Sequence, residues 1–128
     1  MRLPELRTGG SDNNHSEKRV LSVAVARTYG NMANVEEQLG NLQKAIDLNE
    51  KALKIFVKVL GRHHVRVAMT KENIAYVYEG CGDLAQALSC IEEAHSILLR
   101  SLGAHHLNTK KAACGLERLK KGADAFVS

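Results

Sequence analysis

Apolar residues recur every three or four positions along most of this chain, and glycines or short polar clusters break the pattern at regular intervals. A first helix is predicted from Ser16, an N-cap residue followed by Glu17 in the first turn. It runs to about Leu39 with an apolar stripe through Val25, Met32, Val35 and Leu39, and Gly40 stops it. Asn41 then caps a second helix whose stripe is Leu42, Ala45, Ile46, Ala52, Leu53, Phe56 and Leu60, ended by Gly61. A third helix is predicted over Val65–Glu79, with Ala68, Ile74, Ala75 and Tyr78 inward, and Gly80-Cys81-Gly82 makes the turn. Asp83 caps a fourth, with Gln86 at capping-box spacing, and it extends to Gly103. A fifth is expected over about 108–121. Residues 1–15, with Gly9-Gly10 and a polar run, read as a flexible leader, and 122–128 as a tail.

The pattern is also a repeat. Residues 25–66 laid over 67–108 give 17 identities in 42 positions, against roughly three by chance. A period of this size marks an array in which each unit buries its apolar face only against its neighbours. The fifth helix continues the register as half a repeat, with Leu116 under Ile74 and Leu119 under Val77. Ala33, Ala45 and Ala52 match Ala75, Ala87 and Ala94, small residues suited to helix crossings. Gly40 and Gly82 allow tight reversals, and short connections force antiparallel neighbours. The predicted fold is all-α: an α-solenoid of antiparallel helix hairpins, about five helices over 16–121. A β-propeller shares such a period, but the 3.6-residue apolar spacing excludes it.

The spacing of Ala33, Gly40, Ala45 and Ala52, repeated at Ala75, Gly82, Ala87 and Ala94, resembles the tetratricopeptide repeat. HEAT-type repeats share the period but do not predict this small-residue pattern. The longer period is similar to the kinesin light chain type, whose leucine-glycine…histidine-proline…valine-alanine segment is matched by Leu60-Gly61-Arg62-His63-His64-Val65-Arg66-Val67-Ala68. It recurs more loosely as Leu102-Gly103-Ala104-His105-His106-Leu107. The family's proline is replaced by Val65 and Leu107.

Composition adds limits. The single Pro and 4% aromatic content suit helices packed through Ala, Leu, Val and Ile. No apolar run approaches the ~20 residues that cross a bilayer. Three cysteines without a CxxC pair indicate neither a disulfide framework nor a zinc ribbon, and reduced thiols point to the cytoplasm. The net charge of +4 lies mostly in residues 109–128, while 21–108 balance to zero. Without aromatics among 107–121 to stack bases, nucleic-acid binding is not indicated; a solvated last helix with cations near its C-terminus explains the charge.

No phosphate loop, nucleophile–base pair or inward carboxylate pair indicates an enzyme, and no cofactor is implied. His63-His64 and His105-His106 lack a completing Cys or carboxylate, so no metal site is expected. The family resemblance implies a peptide groove lined by the first helix of each unit, with Asn31 and Asn73 able to donate and accept at once. Helical geometry adds Arg27, Asn34 and Glu37 in the first unit and Met69, Glu72, Tyr76 and Glu79 in the second. On those residues acidic charge outweighs basic, which suits a basic or amphipathic peptide. The expected function is a protein-interaction module, scaffold or adaptor. The alternative is a structural segment of a longer or self-associating solenoid.

Overall fold

The computed structural model describes residues 4–127, with side chains described from His15 to Ala125. Five α-helices follow one another: α1 Pro4–Gln38, α2 Leu42–Leu60, α3 Val65–Cys81, α4 Leu84–Leu102 and α5 Leu107–Val127. Each packs chiefly on its neighbours in sequence, α1 on α2, α2 on α3, α3 on α4 and α4 on α5. This is the helical-repeat solenoid that the periodicity requires.

The turns alternate between two backbone forms. After α3, Gly82 is left-handed (φ 84°, ψ 5°), its N–H donating to Glu79 and the Asp83 N–H to the Tyr78 carbonyl. Gly40 (φ 86°) repeats these bonds through Glu37 and Glu36. After α2, Gly61 has φ 92° and ψ 152°, and after α4 Gly103 has φ 86° and ψ 163°. That second region is essentially closed to residues with a Cβ. The Asp83 carboxylate accepts from the Gln86 N–H at 3.2 Å, as the spacing foretold. Asn41 occupies the matching position but makes no side-chain cap, because its amide donates to Glu36 Oε1 at 2.7 Å instead.

The core is built from the repeated small residues and their aliphatic neighbours. Ala26, Ala33, Ala45, Ala52, Ala68, Ala75, Ala87 and Ala94 are all buried, and Ile46, Phe56, Val67, Ile91, Leu98 and Leu119 fill the spaces between helices. At each alanine a larger side chain would separate two helices.

Two expectations are corrected. Both terminal helices are longer than their patterns suggested. α1 begins at Pro4, because proline suits a first turn and each helical glycine costs only about 1 kcal/mol. α5 continues through Gly122 to Val127, which leaves Lys120 and Lys121 outside its last turn. More consequentially, the stripe Val25, Met32, Val35 and Leu39 is exposed. The inward face of α1 is Ala26 and Ala33 with Val23 and Tyr29. Among the described residues α1 packs chiefly on α2, and this stripe lies on its other side.

Candidate functional site

A groove of about 290 Å³ lies between α1 and α3. Its walls include Arg27, Asn31 and Asn34 from α1, and Arg66, Met69 and Asn73 from α3. Its floor is α2, through the buried residues Asn49, Ala52 and Phe56. Five of the nine expected site residues therefore meet here: Arg27, Asn31, Asn34, Met69 and Asn73. They do so because Asn31 and Asn73 hold the same helical position one repeat apart, and successive first helices flank the same second helix.

Asn49 was not anticipated. It is 2% exposed, and its Oδ1 has no hydrogen-bond partner. An unpaired buried carbonyl costs on the order of 1–3 kcal/mol, so it is a feature the fold tolerates against its own stability. The sequence held a signal: Asn49 lies within the apolar stripe of α2, and one period on, the same place is Ile91, fully buried.

The charges of this groove are Arg27 and Arg66, with no carboxylate among its lining residues. The Arg66 guanidinium lies 5.8 Å from the centroid of the Phe56 ring, which orients it on the floor. The acidic balance expected from the sequence does not arise, because Glu72 and Glu79 are used elsewhere. Tyr76 donates to Glu72 Oε2 at 2.6 Å, and Glu72 is buried. Arg118 of α5 clamps Glu79 through Nε at 3.1 Å and a terminal nitrogen at 2.5 Å, with its guanidinium 5.5 Å from the Tyr76 ring centroid. Burial, then the hydrogen bond to Glu72, raise the Tyr76 phenol well above its ordinary pKa, and the hydrogen bond to Glu79 raises that of Arg118. Glu72, Tyr76 and Glu79 thus form a seam joining α3 to α5. Glu37, half-buried in the last turn of α1, does not line the groove.

The second histidine of each pair has a local task. His64 Nδ1 accepts the Arg66 N–H at 3.0 Å, and His106 Nδ1 accepts the Asn108 N–H at 3.1 Å. Each satisfies a free donor in the first turn of the next helix, the role of an N-cap. Among the described residues no group of three or more His, Cys, Asp or Glu is placed to hold a metal ion, and no helix is long and apolar enough to cross a membrane.

Comparison with known proteins agrees with this architecture. Two models described as tetratricopeptide repeat match residues 24–80 and 67–108. The chain belongs to the tetratricopeptide repeat family, whose repeats generally serve protein–protein interaction. Among solved structures it is similar to the crystal structure of BtubC (BKLC) from P. vanneervenii, with a TM-score of 0.72 and 20% identity over 94% of this chain. The kinesin light chain-like form suggested by the 42-residue period is in keeping with that fold. This chain spans 53% of the length of that protein's chain. No curated protein matches significantly.

Proposed function

We propose that this chain is a non-catalytic, cytoplasmic interaction module that binds an extended segment of a partner protein in the α1–α3 groove. The observation that carries the reading is Asn49: a buried, unpaired carbonyl on the floor of a groove rimmed by Asn31, Asn34 and Asn73. A peptide backbone supplies N–H donors and C=O acceptors in alternation, and amide side chains meet both. When the Asn49 amide turns from its buried position towards the groove, its Oδ1 accepts a peptide N–H, and the penalty of the empty state is removed. Arg27 and Arg66 favour a ligand with a carboxylate over the basic peptide expected from the sequence. The three free thiols are in keeping with a reducing compartment.

Peptide arrays with acidic, neutral and basic sequences, followed by calorimetry on the hits, test this reading. Acidic or neutral extended peptides are expected to bind, and Asn31→Ala combined with Asn73→Ala to weaken them while helicity persists. Binding that ignores both substitutions removes the groove from consideration.

A further inference from the structure

The outward face of α1 carries Leu21, Val25, Thr28, Met32 and Val35, and Leu39 follows in the turn just after it, at intervals of 4-3-4-3-4, the a/d spacing of a coiled-coil seam. The five apolar members are 64, 46, 46, 54 and 68% exposed. At roughly 150–200 Å² for a fully exposed side chain of this size, they present about 500 Å² of contiguous apolar surface. The lone polar member fits burial, since the Thr28 hydroxyl already donates to the Ala24 carbonyl at 2.9 Å. The repeat shows what such a face is built for. One period on, Val25, Thr28, Met32 and Val35 become Val67, Thr70, Ile74 and Val77, all buried, and Thr70 makes the same bond back, to Arg66.

Three observations say what covers it. First, Arg19–Ser22 stand in register with Gly61–His64, where the chain turns between repeats, yet α1 runs helical straight through them. A preceding hairpin joined by the array's own short connection therefore cannot fold back onto this stripe. Second, the opposite end of the array is mostly polar among the described residues. Ala26 and Ala33, fully buried at the α1–α2 contact, correspond to Lys110 and Glu117 on α5, both exposed. Head-to-tail stacking of copies would meet these charges, with exposed Leu107, in register with Val23, as the large apolar side chain described there. Third, two stripes brought together remove about 1,000 Å² of apolar surface before their flanks are counted, the size at which specific interfaces begin.

We infer that α1 pairs with α1 of a second copy of this chain, as a closed two-fold dimer with the helices antiparallel. An isologous contact uses the same patch twice and stops at two. The antiparallel register sets Leu21 against Leu39, Val25 against Val35 and Thr28 against Met32. A parallel pair would instead oppose Lys18, the next heptad position, to its own copy. The inference is independent of the groove.

Sedimentation of the full chain over a wide concentration range tests it. A monomer–dimer equilibrium is expected, and Met32→Glu should weaken it by at least ~100-fold, the effect of burying an unpaired charge. Because Met32 is exposed, the helical circular dichroism of that variant should be unchanged. Val25→Glu and Val35→Lys should each be monomeric alone and dimerise when mixed, a rescue that only antiparallel pairing gives. A chain that stays monomeric throughout overturns the inference and leaves the stripe to a helix of another protein. A dimer that persists in Met32→Glu overturns it by placing the contact elsewhere.

Discussion

Replacing Asn49 by isoleucine makes the first repeat copy the second at this position, where Ile91 is fully buried. The substitution removes an unpaired buried carbonyl, a gain of about 1–3 kcal/mol. It also adds buried apolar surface of comparable value, while steric readjustment of a packed site takes back on the order of 1–3 kcal/mol. The net expectation is a stabilisation of about 1–3 kcal/mol, seen as a rise in Tm of about 3–10 °C. Peptide binding should move the other way. Loss of an acceptor that a ligand N–H has come to satisfy costs about 1–3 kcal/mol, or about 5- to 150-fold in Kd. Thermal melts and titration calorimetry on the same samples read the two effects, and Asn49→Leu, closer in shape to the amide, guards against a misfit of the branched side chain. Lower stability in both variants with unchanged affinity would show that the Asn49 carbonyl has a partner within the fold, and the reasoning would fail.

The other expectations are local. Leu107→Pro should raise stability by about 0.4–1 kcal/mol, since it fills the first position of α5 with a residue preorganised for it; denaturant midpoints measure it. His64→Ala should lose roughly 1 kcal/mol through the missing cap on α3, and His64→Asn should recover most of it in the same assay. Gly115→Ala places a Cβ 2.7 Å from the Tyr76 hydroxyl and should destabilise the α3–α5 contact by about 1–3 kcal/mol, with hydrogen exchange rising first in α5. Alkylation should label exposed Cys81 and Cys114 ahead of Cys90, whose thiol burial pushes up, so that Cys90 lags most near neutral pH and catches up as pH rises.

What the sequence made legible follows the range over which each interaction acts. Turns, caps and small-residue crossings are set within a few residues or repeated at a fixed period, so Gly40, Gly82, Asp83 and the paired alanines could be read directly. Asn31 and Asn73 were legible because repetition placed them on equivalent faces. The pairing of Glu79 with Arg118 spans 39 residues and crosses from one helix to another, which no local pattern encodes. Glu79 faces α5 and does not line the α1–α3 groove. The outward aim of Val25, Met32 and Val35 was hidden for a different reason: both faces of α1 are apolar, and periodicity alone does not say which one meets α2. Asn49 gives no repeated signal, since it stands against Ile91 where the two units differ, a single polar residue inside an apolar stripe.

The glycines at 40, 61, 82 and 103 fall every 21 residues, yet the turns they make alternate in form. Spacing alone would allow an array of this kind to grow by a single helix and its turn. The alternation forbids it, because a 21-residue insertion would put a left-handed turn where the next pair of helices needs the extended one, and would exchange the groove-lining role of one helix for the floor role of the other. The smallest block that can be duplicated without rewriting its neighbours is the full 42 residues. Shuffled chimaeras cut at Gly61 and Gly103 should therefore accept extra units that chimaeras cut at Gly40 and Gly61 reject, and each unit added would bring a floor with Ile91 in place of Asn49.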